Sequence, residues 1–514
     1  MDMDRREFLK LAGGGAAAAA VGGCGAELFS GKGRNSRPNI LFCVSDDQSW
    51  VHAGAYGDKV VKTPNFDRVG REGVLFRNAF CASACCTPSR SAIVTGQEIW
   101  RLEGGALLMG SLPSKFAVYP DLLEDAGYRV GYVHKGWGPG NYKAGGWDHN
   151  PAGRLKYNKR KLSPPTTGMN TRDYAGNFAD FLGDCPADTP FCFWFGAEEP
   201  HRRYEKGSGV RLGKRLEDVV VPGFLPDCAE VRSDICDYYA EIEWFDEHLG
   251  RMLGLLEEMG VLDNTIIVVT SDNGMPFPRA KGNLYDWGVR APLAVRWGKR
   301  VAGGRVVDDF VSLADVGPTF LEAAGVQVPS EMTGRSFVDV LLSGKSGRVD
   351  GRRDRVFTGT ERITWCREGG LGYPSRAIRT FRWLYILNYE PGRWPAGDPD
   401  FDAVPEGVYG DVNAGPTKSY MLEHKDDVGV AEQFRLCFGK RGAEELYDVQ
   451  KDVWQVNNLA GEAMYADVKA ELRRVLEAYQ VETKDPRAEG KSAWDSYEYY
   501  YRKGARHGAK SVEQ

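Results

Sequence analysis

The chain is poor in the features that would assign it quickly. Its 514 residues include seven histidines, and none is spaced with cysteine in the paired pattern of a zinc site. Basic residues are not in excess, and a net charge of −5 with mixed signs gives no general pull toward nucleic acid. No internal repeat is visible, and no low-complexity tract follows the N-terminal region. A long apolar run is missing too: Leu11 to Gly25, rich in Ala and Gly, is too short and too weakly apolar for a membrane span. What remains is a chain long enough for one large α/β domain and a smaller one.

The leader is legible first. Asp4-Arg5-Arg6-Glu7-Phe8-Leu9-Lys10 before that weak apolar run resembles a twin-arginine export signal, whose machinery carries folded proteins. Val21-Gly22-Gly23-Cys24 resembles a lipoprotein cleavage box, which would put a lipid anchor on Cys24. Residues 1–35 therefore read as leader and linker, and an exported bacterial protein, periplasmic or membrane-anchored, is expected.

Two apolar runs read as buried strands that end in oxygen-bearing side chains. Ile40 to Ser45 runs into Asp46-Asp47, and Thr265 to Ser271 runs into Asp272-Asn273-Gly274. In open α/β sheets, ligands bind beyond the carboxyl ends of the strands. Three carboxylates and an amide gathered at one point repel each other unless a cation sits among them. All-oxygen ligation suits a hard ion, Ca²⁺ ahead of Mg²⁺. Between the two runs lies Cys85-Cys86-Thr87-Pro88-Ser89-Arg90, which read from Cys86 is Cys-x-Pro-Ser-Arg, followed by the small and apolar Ser91 to Gly96.

That string resembles the signature of the formylglycine-dependent sulfatases of the alkaline-phosphatase superfamily. The resemblance implies that a sulfatase-maturating enzyme oxidises Cys86 to formylglycine (3-oxoalanine), whose hydrate supplies an oxygen nucleophile, and that residue 86 joins the metal ligands. Cys85 does not fit, because its proline falls one position late. Lys135 in His134-Lys135-Gly136-Trp137 takes the place of the family's sulfate-binding lysine, and His201, after Pro200, that of its active-site histidine. Lys281, eight residues beyond Asn273, completes the set with Arg90, which is expected to hold the modified residue from one helical turn away if Pro88 opens a helix. The implied substrate is a sulfated saccharide. Ser271 to Pro278 with Asn283-Leu284-Tyr285 looks most like the heparan N-sulfatase branch, which cleaves a sulfamate.

One position departs from the family. Where a second histidine should follow Lys135 by two residues, this chain has Trp137, which puts the base for intermediate collapse in doubt; its indole is expected as an apolar wall or a stacking face for a sugar ring. Arg202, Glu361 and Arg376 are weaker candidates for the substrate rim. Eleven cysteines less Cys24 and Cys86 leave nine, an odd number, and no disulfide is assigned.

Strand and helix signals alternate: helices from Pro64 to about Glu72, Tyr119 to Ala126 and Ser233 to Met259, strands at Tyr128–Val133 and Phe191–Gly196. The expected fold is α/β, a large mostly parallel sheet flanked by helices (36–350) with a smaller C-terminal α+β domain carrying an antiparallel sheet (351–485). A loosely held tail is expected from 486 to 514. Three other functions stay open: sulfamate hydrolysis specifically, a phosphodiesterase or phosphonate hydrolase of the same superfamily, and a glycan-binding homologue that Trp137 has disabled.

Overall fold

A computed structural model describes residues 37–492, 494–501 and 510–511. The leader, Cys24 and the end of the chain lie outside the described residues. The main sheet has nine strands: β1 (Asn39–Ser45), β2 (Val74–Phe80), β3 (Arg129–His134), β4 (Leu155–Lys156), β5 (Phe191–Gly196), β6 (Thr265–Ser271), β7 (Arg290–Ala291), β8 (Leu293–Arg296) and β9 (Arg305–Ser312). Their order is β4-β3-β5-β1-β6-β8-β2-β7, with β9 beside β2. The centre is parallel: β1 lies between β5 and β6, and β5 continues in parallel to β3.

Both faces of this sheet are covered, which is why its strands are apolar throughout rather than alternating. Ile40, Phe42 and Val44 of β1 point to one side with Ile266 and Val268 of β6. Leu41 and Cys43 point to the other with Ile267 and Val269. The first side is closed by helices α2 (Cys86–Thr95), α3 (Tyr119–Asp125) and α6 (Val316–Ala323), and the second by α1 (Pro64–Glu72), α4 (Tyr174–Gly183) and α5 (Ala229–Glu258). Each large aliphatic or aromatic side chain so buried contributes about 1.5–3 kcal/mol.

A second, four-stranded antiparallel sheet is formed by β10 (Arg355–Thr360), β11 (Ser375–Thr380), β12 (Trp383–Asn388) and β13 (Glu444–Asp448) in that order. Between β12 and β13 the chain forms α7 (Pro416–Glu423). Helix α8 (Ala466–Glu482) closes the second sheet, packing Leu472 and Leu476 on Ile378, Tyr385 and Leu446. The two sheets are tied near the site by charge: Arg379 donates to both carboxylate oxygens of Asp286 at 2.8 and 2.9 Å.

Two expectations change here. Helix α2 opens at Cys86 rather than at Pro88, because the first turn of a helix needs no internal N–H partner and so accepts proline at its third residue. Among the described residues after Asp485, the segment up to Tyr500 is held rather than loose. Trp494 is buried, Arg362 donates to the Tyr497 carbonyl at 2.6 Å, and the Tyr500 N–H donates to the Met109 carbonyl at 2.7 Å.

Candidate active site

Register brings the two acidic strand ends together. Ser45 of β1 pairs with Ser271 of β6, so Asp46-Asp47 and Asp272-Asn273 leave the sheet side by side. Asp47 turns there in the left-handed region, at φ 74°, which Asp tolerates better than most side chains. Its N–H donates to Asp272 Oδ1 at 3.1 Å, and the Gln48 N–H donates to Ser271 Oγ at 2.8 Å. Gly274 lets the second loop turn closely against Trp287, whose carbonyl oxygen lies 1.9 Å from where a Cβ would stand.

Cys86 arrives from the opposite direction as the first residue of α2, where the unpaired N–H groups give partial positive charge. The helix ends at Gly96, whose φ of 62° favours glycine. Ligand atoms of Asp46, Asp47, Cys86 and Asp272 all lie within 4.8 Å of one another, and all four residues are buried. The thiol donates to Asp46 Oδ1 at 3.3 Å and lies 3.8 Å from Asp47 Oδ1. Its contact with Cys85, burial and the Asp46 charge push it well above its ordinary value. As a thiol, residue 86 is therefore a poor nucleophile.

Cations surround the acids. Lys135, just past β3, pairs with Asp46, and Lys281 donates to Asp47 Oδ2 at 2.7 Å. Burial pushes the Asp46 carboxyl up, but Lys135, His201 and Arg90 hold it below the usual carboxylate range. Burial likewise opposes ionisation of Asp47, which Lys281 and His201 overcome. Arg90 Nε donates to Asp272 Oδ2 at 2.7 Å, and its Nη1 donates to the Lys135 and Gly136 carbonyls at 2.8 Å each. His201 follows β5; its Nδ1–H donates to the Arg202 carbonyl at 2.6 Å, and its Nε2 lies 3.8 Å from Asp47 Oδ2.

Two buried atoms in this set have no partner: Asn273 Oδ1 and Arg90 Nη2. Asn273 turns its Nδ2 to Asp47 Oδ1 at 2.8 Å, which leaves the carbonyl as an idle acceptor among carboxylates. An idle acceptor fits a cation, and an idle guanidinium donor fits an added oxygen; leaving either unmet costs about 1–3 kcal/mol.

Other candidates fall elsewhere. Trp137 is 4% exposed, and its Nε1–H donates to Ser91 Oγ on α2 at 2.8 Å, so its indole braces the helix instead of offering a face to a sugar. His134 pairs with Glu198 at 3.3 Å. Arg202 is nine-tenths buried, clamps Asp234 through two 2.7 Å bonds and donates to the Pro276 carbonyl at 2.9 Å; it ties the second acidic loop to α5 and is not free on the rim. Glu361 and Arg376 are not rim residues either. They pair with each other at 2.7 Å, and Arg376 pairs with Asp485 at 2.7 Å, inside the C-terminal domain. The sequence reading missed Leu108, Met109 and Ile363, which pack with Cys85 and Cys86. They carry no local pattern, since loops distant in the chain supply them. All ten described cysteines are free.

An α/β sheet that delivers acids and cations to one buried point at its strand ends suits the hydrolysis of anionic esters. The profile of the family described as Sulfatase matches residues 38–326, more than half the chain, and the chain belongs to that family, whose members hydrolyse sulfuric esters. It is 28% identical over 446 residues to an ulvan-active sulfatase of Formosa agariphila, covering 85% of this chain and 79% of that one. It is 29% identical over 510 residues to the N-sulphoglucosamine sulphohydrolase of Homo sapiens, covering 90% and 94%. Its fold matches that of BT4656, solved with its substrate D-glucosamine-2-N,6-O-disulfate, with a TM-score of 0.62 at 22% identity over 89% of this chain and 100% of that one. The profile of twin-arginine translocation signals matches residues 2–22, a signal for export across the cytoplasmic membrane. No helix among the described residues is long and apolar enough to cross a membrane.

Proposed function

We propose that this chain is an exported sulfatase that releases sulfate from a sulfated saccharide, with Cys86 as the precursor of formylglycine. The observation that carries the reading is the buried meeting of Asp46, Asp47, Asp272 and the Cys86 thiol, with the Asn273 carbonyl idle beside them. Asp46, Asp47, Asp272, Asn273 and residue 86 would hold a divalent cation. Three carboxylates and an amide suit Ca²⁺, which takes most of its ligands from protein oxygens, better than Mg²⁺, which keeps its waters. When present, the cation supplies Lewis-acid polarisation of sulfate and the formylglycine hydrate supplies the oxygen nucleophile.

The remaining work falls to the chain's own side chains. Lys135 and Lys281 neutralise sulfate oxygens, which otherwise repel an oxygen nucleophile. Arg90 orients residue 86 through its idle Nη2 while Asp272 fixes the guanidinium. His201 protonates the departing alcohol or amine from Nε2, since Nδ1 is held by the Arg202 carbonyl. Leu108, Met109 and Ile363 wall residue 86 from water. With Trp137 turned into α2, no histidine takes the second family position.

Sulfamate cleavage is the second reading, favoured by the 94% coverage of the human N-sulphoglucosamine sulphohydrolase. Anchoring in the periplasm through a lipid on Cys24 belongs to the same proposal. The test is a panel assay on protein co-expressed with a maturating enzyme, using N-sulfoglucosamine, 6-O-sulfated glucosamine and a phosphonate monoester. Inorganic sulfate from either sugar supports the reading and names the bond. Turnover of the phosphonate alone overturns it, and inertness toward all three with binding retained identifies a glycan-binding homologue.

A further inference from the structure

Just past His201 in the chain, a cavity of about 250 Å³ is lined by Arg202, Arg203, Tyr204, Lys206, Asp234, Asp237 and residues 414–416. Its acids are spent internally. Asp234 is held by Arg202 and by the N–H and hydroxyl of Thr417. Asp237 accepts from the Gly207 and Gly209 N–H groups and from Ser208. Two of its cations are not spent: Arg203 and Lys206 are exposed, and neither makes an ion pair among the described residues. With Arg202 cancelling Asp234, Arg203 and Lys206 face the single remaining carboxylate of Asp237, and the lining carries a net formal charge of +1.

The cavity is also a built one. Arg202 forms its floor, with the guanidinium stacked 4.7 Å over Tyr204 and 4.5 Å over Phe277. A Cβ at Gly415 would come within 2.5 Å of Arg202 Nη1, so glycine there lets the wall close on the floor. The floor is tied to the metal-site loop through the Pro276 carbonyl. Arg203 stands two residues past His201, so their Cα atoms are at most about 7 Å apart. That is about the reach of one sugar from the leaving-group side of the site.

We propose that Arg203 and Lys206 bind an anionic group, carboxylate or sulfate, on the saccharide residue next to the one that loses sulfate. The inference rests on the sulfatase reading and adds a second anion-recognition point to it. The binding is electrostatic, at a partly exposed site, and so weakens with added salt. It selects oligosaccharides over small sulfate esters without altering the chemical step.

The experiment compares matured wild type with the double variant Arg203→Ala/Lys206→Ala and with the charge-keeping Arg203→Lys/Lys206→Arg. Three probes are used: 4-nitrophenyl sulfate, a disaccharide whose second sugar carries only a carboxylate, and one whose second sugar carries only a second sulfate. The expected result is a KM about tenfold higher for one or both disaccharides in the alanine variant, with kcat and the KM for 4-nitrophenyl sulfate unchanged. The charge-keeping variant should restore the KM, and whichever disaccharide responds names the anion. Equal KM values for wild type and alanine variant on both disaccharides would overturn the subsite, as would an equal shift on the small ester. Failure of the wild type to release sulfate from any probe would instead overturn the underlying sulfatase reading.

Discussion

At the scale of single residues, the site is a balance of buried charges that burial alone would neutralise. Asn273 shows what the balance is for: its amide N–H₂ is occupied and its carbonyl is idle. Asn273→Ala should keep the fold yet weaken Ca²⁺ binding by at least tenfold, measured by calorimetric titration of the chelator-treated protein; unchanged affinity would remove Asn273 from the ligand set. Glu199, which accepts from the Asn170 N–H and from Tyr174, makes a second prediction. Burial raises its carboxyl from 4.5 to about 7. Below pH 4.5 both folded and unfolded chains hold this proton, so it contributes no difference. From pH 4.5 to 7 the unfolded chain loses it first and stability falls as pH rises, reaching a constant deficit of about 3 kcal/mol above pH 7. Glu199→Gln should therefore exceed wild type in denaturant stability at pH 8, and the gap should close toward pH 4.5. A gap independent of pH would contradict this.

At the scale of elements, much was legible because burial on both faces writes strands as apolar runs. The runs ending at Ser45 and Ser271 could be seen to deliver Asp46, Asp47, Asp272 and Asn273 to the same sheet edge, and their register does so. Arg376 and Glu361 misled for the opposite reason: charged residues read as surface, and only the fold shows them fully sheltered and paired in the C-terminal domain. Glu361→Ala leaves Arg376 and Arg487 short of a buried partner and should cost about 3–5 kcal/mol. It should leave KM for the saccharide unchanged; a raised KM with stability intact would return Glu361 to the substrate rim. Trp137 could be read as a departure but not as a brace, since its partner Ser91 is set by packing rather than spacing. Trp137→Phe strands the Ser91 hydroxyl and leaves a cavity where the rest of the indole stood, and thermal unfolding should register a loss of at least about 1–3 kcal/mol. Loss of sugar binding without loss of stability would instead mark the indole as a stacking face.

At the scale of the whole molecule, the export signal and the buried cysteine belong to one sequence of events. A twin-arginine signal moves a folded protein, while Cys86 in the folded chain is sheltered among acids, helix α2 and the Leu108–Ile363 wall. On the proposed reading, conversion of Cys86 would precede closure of the fold, in the compartment of synthesis. The wall depends in turn on the 495–500 segment, since the Tyr500 N–H holds the Met109 carbonyl and Arg362 holds the 495–498 backbone. On the proposed mechanism, residue 86 works only as its oxidised form. The most direct measurement is the rate of sulfate release across preparations with different degrees of Cys86 conversion, each quantified by peptide mass spectrometry, with Cys86→Ala as the zero point. The expected rate is proportional to the converted fraction and extrapolates to none for the thiol. Full activity in unconverted protein, or in Cys86→Ala, would contradict it.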